Sequence, residues 1–241
     1  MTAFSGLKFF STPPHDCSYL ENQQAITLFA DPDATMTNML HNQLSNYGFR
    51  RSGNYLYKPQ CANCSACISA RIPVNAFQMS RQQQRVWKKN QDIKVKRVNA
   101  TYHQPHYDLY VRYITQRHAD GDMYPPSVVQ YLSFLFSDWS DTNLYEFYLG
   151  DTLVAVAVCD VLKNGLSAVY TFYDTQFEHR SLGVFAVLWE ITCTQKMGLA
   201  YLYLGYWVKN SKKMAYKRHY QPLEVLIDQQ WQPLSNENDI L

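Results

Sequence analysis

The stretch that decides the fold runs from Asp174 to Pro222. Residues 174–183 read Asp-Thr-Gln-Phe-Glu-His-Arg-Ser-Leu-Gly, and an apolar helix follows. Residues 201–207 read Tyr-Leu-Tyr-Leu-Gly-Tyr-Trp, and residues 209–222 read Lys-Asn-Ser-Lys-Lys-Met-Ala-Tyr-Lys-Arg-His-Tyr-Gln-Pro. This order predicts a strand end, a turn into a helix N-terminus, a second strand and a helix rich in cations. A helix N-terminus favours anions, and cations between aromatic rings suit a polyanion that also stacks.

Charge is concentrated in two places on this 241-residue chain, although its formal net charge is only +2. Residues 81–97 carry seven Lys or Arg and one acid, and residues 209–218 carry five Lys or Arg and no acid. Two basic patches on a nearly neutral protein indicate a polyanionic partner. Solvated helix faces are the alternative explanation. With 46% hydrophobic residues, the chain can bury a sizeable core as one large or two small domains.

The N-terminus Met-Thr-Ala-Phe-Ser-Gly lacks the basic and apolar regions of a secretory signal. The longest apolar run, residues 153–159, is too short to span a bilayer. We therefore expect a cytoplasmic protein without a membrane partner. In that compartment the six Cys are expected as thiols or metal ligands rather than disulfides.

The first third of the chain predicts a small α+β unit. A strand is expected near residues 25–29, a helix opens at Asp31-Pro32-Asp33 and ends at Gly48, and residues 49–57 form a hairpin. A further strand is expected over residues 68–74. We place a domain boundary after it, which gives a small cysteine-containing domain over residues 1–75 and a larger domain over residues 76–241.

The larger domain predicts a basic helix capped by Ser80, then strand, two helices, three strands, a long helix, strand, helix and strand. The helix over residues 127–136 is apolar nearly all round, which predicts burial. The order resembles that of GNAT-type acyltransferases, whose acyl donor lies where two neighbouring strands part. The predicted fold is thus α+β: a GNAT-like domain with a mixed, mostly antiparallel sheet flanked by helices, preceded by a small cysteine-containing domain.

Cysteines form one cluster. Cys61, Cys64 and Cys67 have Cys-x2-Cys-x2-Cys spacing, and Cys17 offers a fourth ligand. Four thiolates suit zinc or an iron–sulfur cluster. The spacing does not choose between these metals, and reduced thiols packed without metal are the alternative.

The turn into the long helix carries Arg180, Ser181 and Gly183, where acetyl-CoA enzymes of this fold place a pyrophosphate-binding motif. Phe185 replaces the small residue of that motif. We expect it to crowd a pyrophosphate, which favours an acyl donor other than CoA.

Cations and rings follow the next strand. Lys213 and Lys217 share a face if residues 211–218 are helical. Tyr206, Trp207 and Tyr216 can stack on a base, each worth on the order of 1–3 kcal/mol. Core packing of the rings and solubilising lysines are the alternative explanation.

At these residues the chain resembles the arginyl-tRNA–protein transferases, and within them the short bacterial aspartate/glutamate leucyltransferases. The resemblance spans nearly the whole chain in order. It is carried by residues 17–20, 48–53, 57–67, 71–74, 168–174, 180–183, 203–207 and 214–217. Longer eukaryotic members have Cys-x-x-Cys in the first motif, and here Leu20 replaces the second Cys.

The resemblance implies an enzyme that moves an amino acid, Leu or alternatively Arg, from aminoacyl-tRNA to the N-terminal amine of proteins beginning with Asp or Glu. The product enters the N-end rule degradation pathway. The donor is an activated ester, so neither ATP nor a catalytic cofactor is required.

Residue roles follow from the resemblance as hypotheses. Asp174 orients or deprotonates the amine, and Tyr170 or Tyr173 binds the oxyanion. The cation for the acidic acceptor is expected from Arg50, Lys58 or Arg71. These three residues make residues 1–75 the expected acceptor-recognition domain and residues 76–241 the expected aminoacyltransferase domain. The residues expected to hold the tRNA are Arg180, Ser181, Gly183, Tyr206, Trp207, Lys212, Lys213, Tyr216, Lys217 and Arg218.

Two other functions fit parts of the sequence. One is a CoA-dependent N-acetyltransferase of GNAT type, against which Phe185 and the basic patches argue. The other is a non-catalytic tRNA-binding or metal-sensing module.

Overall fold

A computed structural model describes residues 6–234, and in this part of the chain it has fourteen strands and five α-helices. The helices are α1 (Asn38–Asn46), α2 (Arg81–Lys89), α3 (Gln104–Arg117), α4 (Val128–Leu135) and α5 (Leu182–Lys196). The strands that build the large sheet are β7 (Ile68–Pro73), β8 (Ile93–Asn99), β9 (Thr142–Leu149), β10 (Thr152–Val161), β11 (Gly165–Tyr173), β12 (Tyr201–Trp207), β13 (Glu224–Ile227) and β14 (Gln230–Pro233).

The large sheet has the order β14-β13-β7-β12-β11-β10-β9-β8. Every neighbouring pair is antiparallel except β11 and β12, which are parallel. One face packs against α5 around residues such as Phe147, Leu188 and Leu202. The opposite face packs against α3 and α4 around residues such as Tyr110 and Phe172. The predicted mixed, mostly antiparallel sheet flanked by helices is confirmed.

The N-terminal part forms a second, four-stranded sheet. Its order is β1 (Phe9–Ser11), β4 (Thr27–Ala30), β6 (Tyr55–Pro59) and β5 (Arg50–Ser52). A short pair, β2 (His15–Asp16) and β3 (Gln24–Ala25), lies beside it. Leu44 of α1 and Leu56 of β6 are at the centre of its small core. The predicted hairpin over residues 49–57 is confirmed as β5 and β6.

The basic helix α2 begins where the sequence predicted. Ser80 is its N-cap, and Gln83 completes a capping box with it. The start of α1 was predicted wrongly. Asp31 accepts a hydrogen bond from the Asp33 N–H and closes a turn, and the helix begins only after Thr37, whose hydroxyl caps it.

Burial of α4 was also predicted wrongly. Tyr131 and Leu135 are buried, but Val129 is 78% exposed and Val128 and Leu132 are partly exposed. The helix is short and packs against the sheet through one side only, so its remaining apolar residues face solvent.

The predicted domain boundary after residue 75 stays a prediction, and the sheet topology bears on where it would fall. β7 precedes residue 75, yet it lies inside the large sheet between β12 and β13. The N-terminal part therefore contributes a central strand to the sheet of the larger part. Within residues 6–234, no helix is both long and apolar enough to cross a membrane.

A buried ion pair ties the two sheets together. Arg51 on β5 donates from Nε and Nη2 to Asp160 on β10, over 2.6 and 2.8 Å. Thr142 donates to the same carboxylate. Burial alone would raise the pKa of Asp160, but the Arg51 charge and hydrogen bonds outweigh burial and lower it. Burial lowers the pKa of the neighbouring His41 to about 4, so that imidazole is neutral at pH 7.

Candidate functional site

The cleft between β11 and β12 is the main irregularity of the large sheet. The two strands pair at three positions only, residues 165–167 with residues 201–203. β11 continues to Tyr173 and β12 to Trp207 without pairing with each other. Each strand also shifts register on its other side, between Ala168 and Tyr170 in β11 and between Tyr203 and Gly205 in β12. The sheet therefore opens at its centre, and backbone groups on both strands face the gap.

Arg50 reaches into this cleft from β5. Its Nη1 donates to the Ser167 hydroxyl over 2.9 Å, and its Nη2 donates to the Ala168 carbonyl over 2.5 Å. These acceptors lie on β11 at the point where it leaves β12. Arg50 forms no ion pair with an acidic residue in the described part of the chain. A half-buried guanidinium thus marks the beginning of the cleft.

Gly205 on β12 gives Arg50 its place. Its φ of +77° lies in the left-handed region, and a Cβ there would lie 3.0 Å from Arg50 Nε. A side chain would therefore be strained and would press on the guanidinium. The glycine permits the close approach of two segments that are 155 positions apart in the sequence, and sequence inspection did not single it out.

Lys217 contacts the next residue of β12, Tyr206. Residues 211–218 do not form the predicted helix, because only a short 3₁₀ segment over Ala215–His219 is present. Lys217 is 5% exposed, and its Nζ donates to the Tyr206 carbonyl over 2.5 Å. Burial and the nearby Arg50 charge lower the pKa of Lys217 to about 7. The prediction that Lys217 grips stem phosphates does not fit this buried position.

Tyr206 and Trp207 belong to β12 and do not follow it. Trp207 is fully buried, and the Tyr206 hydroxyl donates to the carbonyls of Gly48 and Tyr57. Neither ring offers a free face, so their placement does not support the prediction that they stack on a base. The alternative explanation, core packing, fits both residues.

Glu190 is a feature of this site that sequence inspection missed. It projects from α5 into the sheet, is fully buried, and accepts a hydrogen bond from the Cys159 thiol over 3.4 Å. Its second oxygen has no partner. Burial raises the pKa of Glu190 to about 7, although hydrogen bonds from Cys159 and Thr171 act in the opposite direction. The sequence does indicate this residue, because Glu190 is a lone acid in the apolar run Leu-Trp-Glu-Ile over residues 188–191 and an acid in such a run is expected to be buried with it.

The turn into α5 has the predicted position but different contacts. Both Nη atoms of Arg180 bind the Asp92 carboxylate, over 2.9 and 3.0 Å, so this cation is already paired. Ser181 has a left-handed backbone, and its side chain does not cap the helix. Gly183 lies against the Tyr173 ring, where a Cβ would lie 3.1 Å from a ring carbon. Close packing therefore explains Gly183 without a phosphate.

Phe185 does not face the turn. It is 3% exposed and packs against Trp87 and Phe147 in the core. The expectation that it crowds a pyrophosphate is therefore wrong, because its ring points into the protein. It is also part of the wall of a cavity of about 200 Å³ between α2, β8 and α5, together with Trp87, Trp189 and Lys196.

The predicted catalytic residues lie at the end of β11, and each of them has a contact on the α3 side of the sheet. Asp174 is buried, caps the turn that follows β11 by accepting from the Gln176 N–H, and lies 3.6 Å from Arg112 Nη2. Tyr170 packs on the α3 and α4 side, and its buried hydroxyl has no partner. Tyr173 contacts both cores, and its ring lies 4.9 Å from that of Tyr113. Only Tyr173 of the two tyrosines adjoins α5.

Other predicted tRNA contacts lie on the surface beyond β12. Lys212 and Arg218 are exposed, and Lys213 is paired with Asp120 over 2.9 Å. Tyr216 is 44% exposed, and burial of its hydroxyl end together with nearby Glu190 and Tyr173 raises its pKa to about 12. Tyr216 therefore has a solvent-exposed ring surface and a hydroxyl that faces the interior beside the cleft.

Of the predicted acceptor cations, only Arg50 lies at the cleft. Arg71 donates to Glu224 over 2.7 Å and stacks on the rings of Tyr201 and Trp231. Its charge is therefore already compensated. Lys58 lies over the Phe49 ring in the N-terminal sheet, and burial lowers its pKa.

The four cysteines of the predicted cluster lie near one another, with Cys67 close to Cys17, Cys61 and Cys64. Burial, and then the proximity of Cys17, Cys61 and Cys64, raises the pKa of Cys67 to about 12. All four are free thiols. Within residues 6–234, however, no three His, Cys, Asp or Glu side chains have an arrangement that fits a metal ion. The donor set resembles a metal site in composition and does not fit one in geometry, so the zinc or iron–sulfur site stays a prediction.

Two family profiles match most of the chain. The sequence profile described as arginine-tRNA-protein transferase, N terminus, matches residues 15–85, and the profile described as arginine-tRNA-protein transferase, C terminus, matches residues 105–227. This chain belongs to the arginine-tRNA-protein transferase family. The family consists of aminoacyltransferases, so the cleft and its surroundings belong to an enzyme.

Similar proteins indicate which branch of the family this chain resembles. A protein named aspartate/glutamate leucyltransferase from Pseudomonas fluorescens is 54% identical over 96% of this chain and 98% of its own length. A protein of the same name from Pseudomonas paraeruginosa is 53% identical over 98% of this chain and 100% of its own length. The resemblance to this bacterial branch is confirmed.

Solved structures with a similar arrangement are distant. L-PGS from Bacillus licheniformis has a TM-score of 0.47 at 8% identity and covers 68% of this chain and 50% of its own chain. The C-terminal domain of a putative lysylphosphatidylglycerol synthetase from Agrobacterium fabrum has a TM-score of 0.43 at 11% identity and covers 82% and 64% of the two chains.

Proposed function

We propose that this chain transfers leucine from Leu-tRNA to the N-terminal amine of proteins that begin with Asp or Glu. The observation that carries the proposal is the match of 53–54% identity, over nearly all of both chains, to proteins named aspartate/glutamate leucyltransferase. In the reaction, the amine nitrogen attacks the ester carbonyl of Leu-tRNA and forms an amide. The 3′-terminal oxygen of the tRNA leaves and takes up a proton, and the amine loses one.

We infer that the ester reacts in the cleft between β11 and β12, where GNAT-type acyltransferases hold their acyl donor. Support comes from the strand edges there, which do not pair with each other beyond residues 167 and 203. Backbone N–H groups on such an edge can stabilise the negative charge that develops on the ester oxygen. Tyr170 is less suited to binding the oxyanion than predicted, because its hydroxyl is buried on the face of the sheet that packs against α3 and α4.

We infer that the 3′ end of the tRNA binds along the first turn of α5 and the segment after β12. The N-cap Ser181 does not satisfy the N–H groups of that turn with its side chain. Such groups bind phosphate well. Lys212 is exposed, and Tyr216 offers a ring to a base. Arg180 has a positioning role in this scheme, because its hydrogen bonds to the Lys89 carbonyl and to Asp92 fix the turn to the end of α2 and to the loop that follows α2.

The acceptor amine needs little activation. An unperturbed α-amine has a pKa of about 7.7–8.0, so a substantial fraction is already neutral near pH 7.5. Positioning beside the ester then supplies most of the rate, and the proposed reaction uses no cofactor. A cytoplasmic location follows from the need for charged tRNA.

The test is a direct transfer assay. Purified protein is incubated with Leu-tRNA, Arg-tRNA or acetyl-CoA and with peptides that begin with Asp, Glu, Lys or Ala, and the products are weighed by mass spectrometry. Addition of one leucyl residue to the Asp and Glu peptides alone supports the proposal. Acetylation, or no product with charged tRNA, contradicts it and favours the acetyltransferase or the non-catalytic module.

A further inference from the structure

Two cations lie beside consecutive residues of β12 and form no ion pair within residues 6–234. Arg50 lies against Gly205, and Lys217 donates to the carbonyl of Tyr206. Neither residue forms an ion pair with an Asp or Glu of residues 6–234. Arg71, in contrast, has Glu224 within 2.7 Å. Burial and the nearby Arg50 charge disfavour the charged form of Lys217. Arg50 also acts on the buried carboxyl of Glu190, but that carboxyl forms no ion pair with either cation. An anion bound beside both groups would offset their repulsion.

The surroundings limit what that anion can be. Lys217 is 5% exposed, and the side chains near it are uncharged or thiol groups, including Met214, Cys67 and the ring of Tyr216. Arg50 is half-buried at the edge of the cleft and keeps guanidinium hydrogens beyond the two that bind Ser167 and Ala168. A small carboxylate on a flexible chain end fits such a position, whereas the phosphates of a tRNA stem need an exposed surface.

We propose that Arg50 and Lys217 together bind the side-chain carboxylate of the acceptor's N-terminal Asp or Glu. The assignment rests on the proposed function and adds the residues that select the acceptor. Arg50 and the β12 carbonyl that holds Lys217 lie at the cleft where the ester is placed, so a bound carboxylate brings the adjacent α-amine to the ester. Lys217 is then a specificity residue for the acceptor rather than a tRNA contact.

The test compares Lys217→Gln and Arg50→Gln with the wild-type enzyme. KM and kcat are measured for a peptide that begins with Asp and for the matched peptide that begins with Asn, and KM is measured separately for Leu-tRNA. Each variant is expected to lower kcat/KM for the Asp peptide by about 30-fold or more, because a buried charge partner of the carboxylate is lost. The preference for Asp over Asn falls by a similar factor, and KM for Leu-tRNA stays within about two-fold.

Controls separate this assignment from other outcomes. Lys163→Gln, an exposed lysine in the turn between β10 and β11, is expected to behave as wild type. Lys217→Arg keeps the buried cation and is expected to keep the Asp preference. If Lys217→Gln does not fold, Arg50→Gln decides. An unchanged Asp preference, or a loss confined to KM for Leu-tRNA, overturns the assignment. Absence of leucyl transfer by the wild-type enzyme would instead count against the proposed function.

Discussion

Glu190 is the residue whose protonation the fold controls most clearly. Its carboxyl group is fully buried beside Cys159, and its pKa is about 7 against an ordinary value of 4.5. Between about pH 4.5 and pH 7, Glu190 is therefore protonated in the folded protein and ionised in the unfolded chain. The free energy of unfolding therefore decreases as pH rises from about 4.5 to 7, by on the order of 3 kcal/mol, and this loss is complete above pH 7.

Glu190→Gln removes that dependence. The free energy of unfolding of both proteins is measured in urea at pH 5 and pH 8. Between these two pH values we expect the difference, variant minus wild type, to increase by up to about 3 kcal/mol. All other titrating groups are shared by the two proteins, so they cancel in the difference. Parallel stability curves for the two proteins would show that Glu190 does not hold its proton in the fold.

For individual residues, the sequence predicted which side chains could carry a functional charge better than it predicted their partners in the fold. It singled out Arg50, which lies in the cleft, but it also singled out Arg71 and Arg180, whose charges are paired with Glu224 and Asp92. Those partners are 153 and 88 positions away in the sequence. No spacing rule could have revealed that two of the three arginines were already neutralised.

Among the elements, β12 determines the shape of the cleft. Gly205→Ala forces a side chain into a backbone with φ of +77° and against Arg50. We expect a loss of about 1–2 kcal/mol in stability from the backbone alone. A fall in kcat/KM for leucyl transfer accompanies it because Arg50 is displaced.

Gly150→Ala is the matched control for this substitution. Gly150 also has a positive φ, of +59°, but nothing lies within 4 Å of its Cβ position. We expect a similar cost in chemical denaturation and unchanged transfer kinetics. Equal activity losses in the two variants would mean that strand strain, and not the displacement of Arg50, affects the reaction.

Element order was largely predictable, and the exceptions have local causes. Alternation and turn residues located β8 to β11 and α5 closely. The predicted helix over residues 211–218 failed because Lys217 turns inward to the Tyr206 carbonyl, and residues 215–219 tighten into a 3₁₀ segment. The exposed apolar side of α4 was unpredictable because periodicity does not say how many sides of a helix find partners.

For the whole molecule, Arg51 and Asp160 connect the N-terminal sheet to the large sheet. Asp160→Asn leaves the buried guanidinium without its counter-charge, so we expect a loss of about 3–5 kcal/mol in the free energy of unfolding. Asp151→Asn, at an exposed turn, is expected to have little effect. Denaturant melts of both variants measure the difference, and equal stabilities would show that the pair does not join the sheets energetically.

The insertion of β7 into the large sheet was beyond sequence reasoning. Its pattern predicted a strand, and the structure confirms one, but the partners of that strand are set by contacts with β12 and β13 more than 120 residues away. The consequence is functional, since the N-terminal part brings Arg50 and the cysteine cluster beside the cleft.

Photocrosslinking tests directly whether leucyl transfer takes place between β11 and β12. A tRNA is charged with a leucine analogue that bears a diazirine, irradiated with the enzyme, and the adducts are mapped by mass spectrometry. Adducts are expected within residues 168–173 and 204–207 or on Tyr216. Adducts confined to the cavity formed by Trp87, Phe185 and Trp189 would contradict transfer between these two strands.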